Sequence, residues 1–217
     1  LEEVVDARGA SLALAQEVFP GVCDAVEELH GACDPPLIHR DLKPQNIIVA
    51  PAGLFLIDFG IARRFREKAE TDTVRFGTRA YAPPEQYGFG QTDVRSDIYA
   101  LGGILWYCLT GDDPSASLAP HEVSERVGER LSSVICKAMA FDPAERFQSA
   151  AELARAFREA VGEAPDTAKD SAPIAAGDAR LADEERGSGF FRTHLLGVVR
   201  NVVLLMIALA CIPQAWQ

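Results

Sequence analysis

"IHRDLKPQN", residues 38–46, gathers His39, Arg40, Asp41, Lys43 and Asn46 into nine positions just ahead of an apolar run. Two short apolar stretches follow, 47–49 and 54–57, joined by Ala50, Pro51, Ala52 and Gly53, a pattern that reads as a β-hairpin. A hairpin returns the chain to its starting point, so Asp58 at its far end comes back beside Asn46. An amide oxygen and a carboxylate so placed suit a hard divalent cation such as Mg²⁺, which takes one or two protein oxygens plus substrate phosphates. Lys43 adds a mobile cation for a phosphate. Asp41 is left as the acid that accepts a proton or orients a hydroxyl, in a reaction where positioning and charge compensation do most of the catalysis. Phosphoryl transfer fits this set.

Upstream, Ala15, Val18, Phe19, Val22, Val26 and Leu29 recur every three to four positions, which lays one apolar stripe on a helix over 11–30. Pro20 and Gly21 should bend it, at a cost of about 3 kcal/mol for proline in a regular helix. Downstream, 61–90 is polar and without period, a long loop of the kind that tends to be functional. DIYALGGILWYCLT, 97–110, is apolar on nearly every face and suits a helix buried at the centre of a bundle. Two amphipathic helices are expected near 131–140 and 149–161, the second capped by Ser149 with Glu152 three residues on. Residues 162–189 hold almost nothing large and apolar, the composition of a flexible linker.

The remainder, 190–217, contains an apolar stretch at 195–212, about 27 Å long as a helix and near the hydrocarbon thickness of a bilayer. Phe190 and Phe191 on one side and Trp216 on the other stand where interfacial aromatics would, and Arg186, Arg192 and Arg200 lie on the N-terminal side. The expectation is one transmembrane helix with the preceding domain cytoplasmic; an amphipathic or buried helix is the alternative. The net charge of −11, with 32 acids against 21 bases, argues against nucleic acid as a partner. Five cysteines without a C-x-x-C pair give no readable zinc site or disulfide framework, so reduced, buried thiols are expected.

HRDLKPQN (39–46), DFG (58–60), GTRAYAPPE (77–85) and SDIYALG (96–102), in this order, resemble the protein kinases, over roughly residues 1–160. Lys43 two places after Asp41, together with Thr78, is similar to the serine/threonine type, and the layout resembles bacterial membrane-anchored members of that group. The resemblance implies a mainly α fold, a kinase C-lobe over 1–161 with a small hairpin at the catalytic loop, and ATP and Mg²⁺ as cofactors. It further implies that Asp41 orients the hydroxyl of a protein Ser or Thr, Lys43 contacts the γ-phosphate, and Thr78 braces both. Asn46 and Asp58 would hold Mg²⁺, and Ile48 would floor the adenine pocket, unless it is plain core. Glu85 and Arg146 resemble a buried ion pair, Asp97 the acid that ties the central helix to the catalytic-loop backbone, and His39 and Phe59 take structural places in their motifs. Arg40 is similar to the family's partner for a phosphorylated loop residue, with Thr71 and Thr73 as candidates, since a phosphate can form charge-assisted bonds with arginine.

The sequence also departs from the family. It carries no glycine-rich loop ahead of residue 39, and residues 1–38 contain no lysine. Since that loop and a strand lysine hold the nucleotide, the 217-residue chain is expected to transfer no phosphate alone but to do so when joined to an N-lobe. Leu at position 1 suggests a piece of something longer. Pro83 stands where alanine is usual, and 111–130 looks short for a substrate-docking helix. The rival function is a non-catalytic kinase-like binding module; homodimerisation stays open.

Overall fold

The computed structural model describes residues 1–58, 63–64, 80–88, 90–114 and 119–162. A short helix, α1 (Glu2–Arg8), leads into α2 (Leu12–Gly31). Ser11 caps α2 by accepting the Leu14 N–H on its Oγ at 3.2 Å. Every residue of the expected stripe is buried: Ala15, Val18, Phe19, Val22, Val26 and Leu29. The helix runs through Pro20 without interruption. Val18, Phe19, Val22 and Cys23, on either side of the proline, are all buried, and that packing outweighs the local penalty.

The centre of the fold is α3 (Val94–Thr110), which opens with a reciprocal cap: Asp93 accepts from the backbone, and Ser96 bonds back to the Asp93 N–H. Its apolar residues face inward all round, Ile98, Leu101, Ile104, Leu105 and Cys108 among them. Two glycines let neighbours approach it closely. A Cβ on Gly102 would lie 2.7 Å from the Met139 side chain and 2.8 Å from that of Ala138, and one on Gly103 would lie 3.0 Å from both Tyr81 and Pro114.

Among the described residues three more helices join the bundle: α4 (Pro120–Val127), α5 (Glu129–Ala138) and α6 (Ala150–Ala160). The Ser149 Oγ caps α6 through the Glu152 N–H at 3.1 Å, as its sequence suggests. Phe157 of α6 meets Phe19 of α2 edge-on, with ring centroids 5.2 Å apart. Among the described residues β1 (Leu37–Ile38) pairs antiparallel with β4 (Arg63–Arg64), and β2 (Ile47–Ala50) with β3 (Gly53–Leu56). The second pair is the expected hairpin, in the register Ile47↔Leu56.

The architecture is mainly helical, and it differs from the sequence reading in places. Helix α4 occupies part of 111–130, where a docking helix looked doubtful, and α1 was not expected at all. Among its described residues the long loop contains β4 and a 3-10 turn, Pro84–Tyr87. Cys23 and Cys108 are buried free thiols, and burial pushes Cys108 up to about 12; Cys33 and Cys136 are half-buried. Among the described residues no helix is long and apolar enough to cross a membrane. The linker and the apolar stretch at 195–212 lie outside the described residues.

Candidate active site

The loop between β1 and β2 carries the motif, and its backbone is held from below by Asp97, in the first turn of α3. Asp97 is 1% exposed and accepts three hydrogen bonds: the His39 N–H on Oδ2 at 2.8 Å, the Arg40 N–H on Oδ1 at 2.9 Å, and the His30 ring N–H on Oδ2 at 2.8 Å. Burial pushes this carboxyl up. The bond from His30, the nearby imidazoles of His30 and His39 and the backbone bond from Arg40 more than offset that, holding it below its ordinary range. Arg40 adopts φ 70°, a left-handed conformation uncommon for a residue with a side chain. Two backbone contacts fix it, the N–H on Asp97 and the carbonyl, which accepts from Gln86 Nε2 at 2.8 Å.

That twist at Arg40 delivers Asp41 to the rim. The Lys43 ammonium donates to Asp41 Oδ2 at 2.8 Å, and Asn46 Nδ2 donates to the Asp41 carbonyl at 2.8 Å and to Oδ2 at 3.2 Å. Both partners therefore lie against the acid. Asn46 is 5% exposed and begins the hairpin: its carbonyl accepts the Ile57 N–H at 2.9 Å, which places Asp58 one residue beyond a bonded partner of Asn46. Asp58 is exposed and left-handed too, at φ 63°. His39 is fully buried and links the two arms, since its Nε2–H donates to the Ile57 carbonyl at 3.1 Å while Nδ1 accepts the Asp41 N–H at 3.4 Å. Ile48 is 44% exposed and so lies outside the buried core.

Below the loop, Glu85 and Arg146 form a forked ion pair, Nη1 to Oε1 at 2.7 Å and Nη2 to Oε2 at 2.9 Å. Arg146 also donates to the carbonyls of Arg95, Ala140 and Phe141, so all five of its N–H groups are engaged. Glu85 accepts the Ser96 hydroxyl as well, at 2.8 Å.

The structure thus brings His39, Arg40, Asp41, Lys43, Asn46 and Asp97 together, with Asp58 next to the bonded rung of the hairpin and Glu85 and Arg146 joined beneath. Phe59, Thr71, Thr73 and Thr78 lie outside the described residues. His30, Gln86 and Ser96 escaped the sequence reading. For His30 a signal existed, because a polar residue next to Leu29 on a buried helical stripe needs a buried partner; Gln86 and Ser96 gave none beyond their neighbours.

The chain matches the family described as protein kinase domain over residues 2–161. It is 34% identical over 173 residues to the serine/threonine-protein kinase PknB of Mycobacterium leprae (strain TN), a match covering 71% of this chain and 28% of that one. To the serine/threonine-protein kinase PknD of Mycobacterium tuberculosis (strain CDC 1551 / Oshkosh) it is 39% identical over 141 residues, 57% of this chain and 21% of the other. A PknB of Mycolicibacterium smegmatis (strain ATCC 700084 / mc(2)155) is 34% identical over 168 residues, with 68% and 27% covered. The aligned part makes up about a quarter of the length of each of these relatives.

Proposed function

The chain belongs to the protein kinase family, and from that premise we propose that it supplies the C-lobe of a serine/threonine protein kinase, moving the γ-phosphate of ATP to a protein hydroxyl. The observation that carries the reading is the convergence of Lys43 and Asn46 on Asp41, each through a 2.8 Å bond, on a loop whose backbone Asp97 holds. Asp41 Oδ2 orients the substrate hydroxyl and accepts its proton. Lys43, already beside that carboxylate, sets positive charge where the transferred group's negative charge must be offset. Thr78 braces the two.

The donor set fits Mg²⁺. Asn46 spends its Nδ2 on Asp41, which leaves Oδ1 as the atom able to face a cation, and Asp58 is an exposed carboxylate one residue past Asn46's partner. A bound Mg²⁺ would neutralise charge on the nucleotide's phosphate oxygens. The exposed Ile48 offers apolar surface to the adenine ring. Glu85, Arg146, Asp97, His39 and Phe59 act through architecture rather than contact with substrate, and Arg40 receives a phosphorylated Thr71 or Thr73. Similarity to serine/threonine-protein kinases and the Lys43 spacing support Ser and Thr over Tyr as acceptors.

The domain division follows the sequence: the C-lobe over 1–161, a linker over 162–189, and a membrane anchor in 190–217 that leaves the C-lobe on the cytoplasmic side. The apolar run at 195–212 and its flanking arginines and aromatics support the anchor. An N-lobe must supply the glycine-rich loop and lysine that 1–38 lacks.

The test is a peptide phosphorylation assay on the chain fused to an N-lobe. Asp41→Ala should lower kcat by about 100- to 10,000-fold, and the 217-residue chain alone should label nothing above its own Asp41→Ala control. Equal turnover by wild type and Asp41→Ala in the fusion would sink the assignment.

A further inference from the structure

We infer that Gln86 is a positioning residue for Asp41, coupling the docked end of the long loop to the catalytic loop through the Arg40 carbonyl; this rests on the kinase reading above. Gln86 is 5% exposed and donates Nε2–H to the Arg40 carbonyl at 2.8 Å, across 46 positions of sequence. Arg40 is the residue immediately before Asp41, and its φ of 70° is one that most side chains avoid. A peptide in such a conformation persists only where its surroundings over-determine it. Here Asp97 takes the N–H of Arg40 and Gln86 its C=O, so the residue is gripped at both ends. Releasing either grip lets the backbone relax toward an ordinary conformation, and the carboxylate one residue on turns away with it.

The position of Gln86 makes this grip conditional. It sits in the 3-10 turn Pro84–Tyr87, directly after Glu85. Glu85 is fixed by Arg146 at 2.7 Å and by Ser96 at 2.8 Å, so the turn is anchored to the bundle on one side while Gln86 reaches the catalytic loop on the other. Only when the turn is seated is the amide within reach of Arg40. Gln86 Oε1 is buried with no hydrogen-bond partner among the described residues, a cost borne by this side chain in order to present its N–H. Leucine or methionine would fill the space without that cost, and neither could hold the carbonyl.

Two variants and two readouts test the link. Gln86→Met keeps the length and loses the donor; Gln86→Glu keeps the shape and sets a carboxylate against the carbonyl oxygen. In the N-lobe fusion, Gln86→Met should lower kcat about 5- to 10-fold, the worth of one hydrogen bond. KM for ATP should stay within about twofold of wild type and the melting temperature should not fall, with Gln86→Glu losing at least as much kcat. Unchanged kcat, or a loss that tracks lowered melting temperature, would overturn the inference. Amide hydrogen exchange on the 217-residue chain needs no activity: Gln86→Met should speed exchange at His39, Arg40 and Asp41 while α3 stays protected. Unaltered rates at those three amides also overturn it. If the wild-type fusion is inactive while exchange responds, the failure belongs to the proposed activity and the coupling stands.

Discussion

Two carboxylate–cation pairs of this molecule stand in opposite surroundings. Glu85 and Arg146 meet with side chains 4% and 0% exposed, and every Arg146 donor is used. Asp41 and Lys43 meet at 2.8 Å with 14% and 21% exposed. The first pair cannot exchange partners without leaving a charge stranded in the interior. The second has one long, partly solvated ammonium that can turn to another acceptor while water covers the change. A pair that fixes architecture is therefore distinguished from one that serves chemistry by its surroundings, not by its distance.

The largest effect should come from stranding the inner pair. Arg146→Met leaves the Glu85 carboxylate buried and should cost about 3–5 kcal/mol in a urea titration; a loss under about 1 kcal/mol would erase the contrast. Next in size is overpacking beneath the site. Gly102→Val places a Cβ 2.7 Å from Met139 and 2.8 Å from Ala138 and should cost about 1–3 kcal/mol in thermal unfolding.

A third prediction concerns acid. Asp97 lies below its ordinary value of 3.8 in the folded chain, so the unfolded state binds more protons as pH falls. The stability it contributes is complete above that value and drains away below it, by at most about 1.4 kcal/mol per pH unit. Asp97→Asn should flatten the pH–stability curve below about pH 4, and an identical slope in the variant would assign the effect elsewhere. The smallest change should follow Lys43→Met, within about 1 kcal/mol in the same urea titration because its pair is at the rim. A larger loss would mean that Lys43 belongs to the architecture after all.

Much of the fold could be read in the chain because its elements bury whole faces. The stripe from Ala15 to Leu29, the hairpin with its turn residues, and the all-round apolar α3 each repeat a signal over several residues. Helices α1 and α4 contribute one buried residue each, Val5 and Val123, and one contact sets no period. Pro20 is tolerated inside α2 because its local cost is weighed against burial on both sides. At the site, Asp41, Lys43 and Asn46 lie within six positions, so their meeting is almost a local property. His30 meets Asp97 across 67 positions and Gln86 meets Arg40 across 46. Such partners are chosen by the packed bundle, and a polar residue does not announce in its neighbourhood which distant donor or acceptor it will find.

Gly102 and Gly103 have a reach beyond their own contacts. One is pressed by α5 and the residue after it, the other by Tyr81 and Pro114, so two adjacent positions on α3 act like the flats of a keyed shaft. The helix can neither spin nor slide in its socket. Because Asp97 rides on the same rigid rod five residues earlier, the aim of its carboxylate at the catalytic loop is dictated by the absence of two methyl groups more than a turn away.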